Sequence, residues 1–219
     1  MTASNASGKL TGPYKDSSTN LIYNMLFCDN IELFKNNNQQ QNVYPWSILF
    51  SDKTDIPGLQ KIIEDSAVET RHKILACNKL LASGHTVENK EILGVIVEVG
   101  LDEGLDVLAS FKDGTARYIN QTEKMIIWET TDTTSGNLTK ELFDNSVNIV
   151  NQIGAWDKPR RPHPARDTVR ISFLVSDGLY FGEAPINVLF NEPLAKPALL
   201  SATALMQYLT EKIINHDTV

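Results

Sequence analysis

The spacing of apolar residues changes several times along this chain, and each change marks a change of predicted structure. From "STNLIYNMLFCDNIELFK", Leu21, Ile22, Met25, Leu26, Ile31, Leu33 and Phe34 recur at largely helical intervals. This predicts a helix capped by Ser18 or Thr19 and broken near Asp29. "NNNQQQ", residues 36–41, is a polar loop whose amides cannot be buried unpaired, and is expected to be mobile. "PWSILF" returns Trp46, Ile48, Leu49 and Phe50 to the core as a short helix or strand, which periodicity does not separate. Asp55 ahead of Pro57 suits a helix start. Ser66 and Glu69 form a capping-box pattern before the stripe Ile74, Leu75, Cys77, Leu80 and Leu81, and Gly84 stands where a helix-ending glycine belongs. Residues 19–84 therefore read as a helical hairpin region of three or four helices.

At residue 91 the period drops to two. "EILGVIVEVG" places Leu93, Val95, Val97 and Val99 on one face and Ile92, Gly94, Ile96 and Glu98 on the other, the pattern of a central strand. Three further short strand patterns follow, separated by "KDG" and "NQTEK", with Asp113-Gly114 as a hairpin signal. Helical spacing resumes through Leu138, Leu142, Phe143, Val147, Val150 and Ile153 and stops at Gly154. "VRISFLVSDGLYFGE" then alternates Val169, Ile171, Phe173 and Val175, turns at Asp177-Gly178 and returns as a second hairpin. "INVLF" is read as an added strand. Ala204, Leu205, Leu209 and Ile213 mark a terminal helix.

The order is helices, meander, helix, hairpin, helix. Tight turns make consecutive strands antiparallel, so the βαβ rhythm of a parallel nucleotide-binding sheet is missing. The fold class is α+β: a helical N-terminal region, then an antiparallel sheet of meander plus hairpin packed with helices. The expected organisation is a disordered polar arm at 1–17, a helical region at 18–88 and an antiparallel α+β region at 89–219, the last two forming either two domains or one.

Composition supports a globular chain. Of 219 residues, 42% are hydrophobic and 21% charged, which suffices for a core without disulfide or metal support. The first residues, "MTASNASGKLTGPYKDSS", lack an apolar signal region, and the longest apolar runs fall far short of a membrane span. A soluble, cytoplasmic protein is expected, with Cys28 and Cys77 as reduced core residues. Its formal net charge of -7 argues against nucleic acid and anionic membrane as partners.

Recognisable catalytic motifs are missing: no glycine-rich phosphate loop, no nucleophile elbow, no paired histidines among His72, His85, His163 and His216. No cofactor and no metal are expected. Glu98, Asp102, Glu103 and Asp106 cluster about one predicted turn, where acids converge on a cation or act as an acid-base pair, or simply solvate a turn.

One segment opposes the charge of its host. "WDKPRRPHPARD" carries four positive side chains (Lys158, Arg160, Arg161, Arg166) against two negative (Asp157, Asp167), a surplus of two in a chain of net charge -7. Pro159, Pro162 and Pro164 bias it toward a stiff, extended, polyproline-like connection that holds its side chains apart. The binding candidates are Trp156, Lys158, Arg160, Arg161, His163, Arg166 and Arg170. Three roles follow from arginine's planar donor fork. The segment is a linker whose arginines pair with the protein's own acids, such as those around Asp102. Or it is a docking strip for a protein partner or a second copy of the chain, with Trp156 as anchor. Or it clamps a phosphate or carboxylate substrate while acids perform proton transfer, which would make the protein an enzyme. The sequence favours a non-catalytic binding or regulatory module, with the enzyme as alternative.

Overall fold

The computed structural model describes residues 12–35, 41–130 and 132–216, with side chains to residue 213. Five helices come first: α1 (Ser17–Met25), α2 (Glu32–Lys35), α3 (Trp46–Leu49), α4 (Ile56–Glu64) and α5 (Thr70–Ala82). The meander follows as β1 (Ile92–Gly100), β2 (Leu105–Phe111), β3 (Ala116–Ile119) and β4 (Met125–Trp128). Then come α6 (Thr133–Val150), the hairpin β5 (Thr168–Val175) and β6 (Gly178–Pro185), α7 (Ile186–Leu189) and α8 (Lys196–His216). Meander and hairpin join in one six-stranded antiparallel sheet, ordered β4-β3-β2-β1-β5-β6. The α+β class and the single sheet are those the patterning predicts.

Because side chains alternate along each strand, the sheet presents two faces, and both are covered. Ile96, Val107, Ala109, Phe111, Ile119 and Leu174 pack beneath α1–α5 with Tyr23, Phe27, Leu59, Ile62 and Leu75. Val95, Val97, Leu108, Ile171, Phe173 and Tyr180 pack on the other side with Leu142, Leu199, Leu205 and Leu209 from α6 and α8. The layering is helix, sheet, helix. Near the start of β1 a register shift between Ile92 and Gly94 interrupts the alternation. Leu93 consequently joins the α1–α5 core and Ile92 the opposite one, the reverse of a strict period of two.

Several boundaries differ from the sequence reading. The first helix is capped by Asp16, whose carboxylate accepts from the Thr19 amide, rather than by Ser18 or Thr19. Ahead of it, within the stretch read as a polar arm, Tyr14 is buried and donates its hydroxyl to the Leu105 carbonyl at 2.9 Å. "NNNQQQ" lies outside the described residues except Gln41. The short apolar run at 46–49 is a helix. The Ser66 capping box does not form. Helix α5 begins at Thr70, whose amide donates to Asp113 Oδ2 at 2.8 Å, so the β2–β3 turn caps it from across the molecule. At the other end Gly84, at φ +79°, takes the left-handed conformation while His85 N donates to the Leu80 carbonyl, which closes the helix as predicted. Helix α6 starts earlier, at a box built by Asp132 and Ser135, and its inward stripe is Ser135, Thr139, Leu142, Ser146 and Ile149, leaving Val147 exposed. "INVLF" is helix α7 and not a strand: Pro185 precedes it and the Phe190 amide bonds back to Ile186. Cys28 and Cys77 are free and buried. Among the described residues no helix is long and apolar enough to cross a membrane.

Candidate functional site: an arginine strap over a buried carboxylate

Register puts three charged residues in one row across the sheet. Glu98 of β1 faces Arg170 of β5, which faces Glu183 of β6. All lie on the α1–α5 face, where Tyr23 of α1 donates its hydroxyl to Glu98 Oε1 at 2.6 Å. Glu98 is 0% exposed, and its Oε2 makes no hydrogen bond among the described residues although Arg170 Nη1 is 3.6 Å away. Burial raises the Glu98 carboxyl above its usual range, against the pull of Arg170 and Tyr23. Burial also pushes the Tyr23 hydroxyl up, so Tyr23 remains a proton donor.

Arg170 is 3% exposed and fully engaged. Its Nε donates to Glu183 Oε2 at 2.5 Å, a contact Nη2 shares, and Nη2 also donates to the Pro162 carbonyl at 2.7 Å. That last bond fastens the proline segment to the sheet. The segment crosses the face as a strap held along its length. Trp156 N donates to the Leu179 carbonyl at 2.7 Å, a single bridge on the outer edge of β6. Arg160 reaches α1 and the turn after it, donating from Nε to Asp29 Oδ2 at 2.7 Å and from Nη2 to Asn24 Oδ1 at 2.8 Å, with its guanidinium 3.9 Å from the Phe27 ring centre. Pro164 is buried. At the far end Asp167 N donates to the Gly100 carbonyl at 3.0 Å, and Gly100 must be glycine because a Cβ would stand 2.1 Å from the Ala165 carbonyl oxygen. Arg166 pairs with Asp102 at 2.6 Å, both exposed.

The strap thus brings Trp156, Arg160 and Arg161 to the face of the sheet that carries Arg170, but the charges are unequally used. Arg161 is the least committed. Its side chain is 50% exposed, lies 5.3 Å from the Trp156 ring centre and 5.6 Å from that of Phe181, and comes no nearer than 3.8 Å to Glu183 Oε1. Lys158 Nζ sits 5.6 Å from the Trp156 ring centre, and that ring meets Phe181 edge-on at 5.1 Å. His163 is exposed, its Nδ1 3.2 Å from the Pro164 carbonyl oxygen.

The four acids read as one cluster do not converge. Glu98 is inside, Asp102 meets Arg166, Glu103 is exposed, and Asp106 accepts from the Tyr118 hydroxyl and the Gln121 amide. Among the described residues no three His, Cys, Asp or Glu side chains are grouped to hold a metal ion. The recess beside Arg160, lined also by Phe27, Asp29 and Asn78, has a volume of 40 Å³. Small-molecule sites start at roughly 300 Å³.

Sequence reasoning missed Tyr23, Asn24, Asp29, Phe181 and Glu183. A usable signal was present for one pair: Glu98 and Arg170 are lone opposite charges inside otherwise apolar strands, which is where buried partners find each other. Compared with known protein families and curated proteins, the chain matches no family model and no curated sequence.

Proposed function

We propose that this protein is a non-catalytic binding module and that the Trp156–Lys158–Arg161–Phe181 ridge meets an acidic protein partner. One observation carries the reading: Arg161 is a half-exposed cation beside two aromatic rings, and its one carboxylate neighbour, Glu183 at 3.8 Å, is already bonded by Arg170. Tryptophan and arginine at the centre of a small patch are the side chains that dominate protein interfaces, and a stiff strap lowers the entropy cost of presenting them. The net charge of -7 opposes nucleic acid and anionic membrane as the partner. Two free, buried cysteines fit a reducing, cytoplasmic setting.

An anion clamp serving an enzyme has less support. Arg160, Arg166 and Arg170 spend their donor forks on Asp29, Asp102 and Glu183. The test separates the two roles. An octaglutamate peptide should bind in titration calorimetry at low salt, and Arg161→Ala should weaken it with little change in melting temperature. Phosphate, nucleotides and small carboxylic acids should leave the melting temperature unchanged at millimolar concentration. A small anion that stabilises the fold, with stabilisation lost in Arg160→Ala/Arg161→Ala, restores the clamp. A peptide that binds wild type and Arg161→Ala alike removes the ridge.

A further inference from the structure

A sheet with two ends has two edges, and this one treats them differently. At β6 the Trp156 amide occupies the Leu179 carbonyl, and the prolines that follow carry no N–H with which to extend the pairing. Among the described residues the β4 edge has no such cover. Asn120 N donates to the Lys124 carbonyl at 3.0 Å, and facing pairs alternate from there, so Tyr118 bonds Ile126 and Ala116 bonds Trp128. The Phe111–Thr115 bond on the other side of β3 sets the same phase. Met125 and Ile127 therefore point their N–H and C=O groups away from the sheet, and no backbone group among the described residues pairs with them there. Within β4 there is no proline, charge or bulge. Ile127 is 56% exposed, in a strand whose edge proteins ordinarily protect.

We infer that β4 is a homodimer interface, in which a second copy of this chain pairs antiparallel with the first about a twofold axis at Ile127. The choice of a second copy rests on self-complementarity. Pairing on the outward groups allows registers that differ by two residues. The one centred on Ile127 sets that side chain opposite its own counterpart, Ile126 opposite Trp128 and Met125 opposite Glu129. No like charges face each other. Centring on Ile126 opposes Glu123 to Glu129, and centring on Trp128 sets each Ile127 against Glu129. The register centred on Ile127 gives one continuous sheet through both subunits, with the strap ridges at its far ends.

Sedimentation of the full chain at micromolar concentrations tests this. Wild type should be a dimer. Ile127→Lys, which opposes two ammonium groups at the axis, should raise the dissociation constant by at least about tenfold. Ile127→Pro should do the same, because it deletes a donor that β3 does not use. Arg161→Ala, a change to the ridge proposed above, should leave the dimer intact, so the two readings fail separately. Amide exchange at Ile127 should be slow in wild type and rise on dilution. A wild type that is monomeric throughout, or a dimer that persists in both Ile127 variants, overturns the inference.

Discussion

A carboxylate at the centre of a sheet is held there by what surrounds it, and Glu98 has mixed company. Tyr23 bonds one oxygen, Arg170 faces the other at 3.6 Å without bonding it, and burial raises the acid's proton affinity. The folded value thus lies above the ordinary 4.5. The folded state binds the proton more tightly than the unfolded chain, so this residue's contribution is fully present below the ordinary value. It is lost as pH rises through the folded value. Glu98→Gln should therefore flatten the alkaline side of that window, and urea unfolding from acid to neutral pH should show the variant losing less stability than wild type across it. A variant that declines in parallel with wild type would assign the pH dependence elsewhere. Placing Glu98 at a turn failed for a physical reason. Strand periodicity gives a residue's face but not its neighbours across the ladder, and its partner Arg170 is brought alongside by a β1–β5 pairing that no local pattern encodes.

Adjacent residues cap α1, α4 and α6, but one element is finished by a distant residue. Helix α5 is that element: Asp113 accepts from the Thr70 amide, while the Thr70 hydroxyl accepts from the Asp113 amide at 3.1 Å. A helix and a hairpin turn cap each other. Burial raises the Asp113 carboxyl, but its bonds from Thr70 and Thr115 outweigh this and bring it below the ordinary 3.8. Its contribution is therefore present above that value and lost as pH falls through the folded one. Asp113→Ala should cost about 1 kcal/mol at neutral pH, the usual value of a lost cap, and should reduce the acid sensitivity of unfolding. Strand patterns and turn dipeptides made the meander and second hairpin legible, since those are contiguous signals. The start of α5 was not legible, because Ser66 and Glu69 satisfy the local rule while the actual acceptor lies in the β2–β3 turn. Helix α7 was misread because four apolar residues suit either conformation, and what precedes and follows them decides.

At the scale of the molecule, one sheet separates two apolar layers, and β1 serves both: Ile96 faces α1–α5 while Val95 and Val97 face α6 and α8. Neither layer can lose its sheet without exposing the other. Unfolding should accordingly be a single transition, with near-ultraviolet dichroism and tryptophan fluorescence coincident, and Leu142→Ala on one side and Leu59→Ala on the other should shift both probes together. Each should cost about 2–5 kcal/mol, the range for truncating a buried leucine. Two separable transitions would mean two independent units. The α+β order, the single sheet and the central place of β1 could all be read from period changes along the chain. The strap's course could not, since its prolines specify an extended shape without specifying which surface it lies on.

Irregular surface chain rich in lysine and arginine is ordinarily where trypsin cuts first. Here Lys158 and Arg161 precede prolines, which the enzyme does not accept, and the remaining sites belong to a segment bonded at Leu179, Asp29, Asn24, Arg170 and Gly100. To enter a protease groove those residues must stand away from the sheet, giving up Arg160's contacts and the bond from Arg170 to the Pro162 carbonyl. In a timed digest of the native protein, cleavage after Arg160 should come late and should accelerate in Arg160→Ala at the sites that remain. The strap's susceptibility to a protease then reads out how often the buried guanidinium of Arg170, bonded to it, meets water.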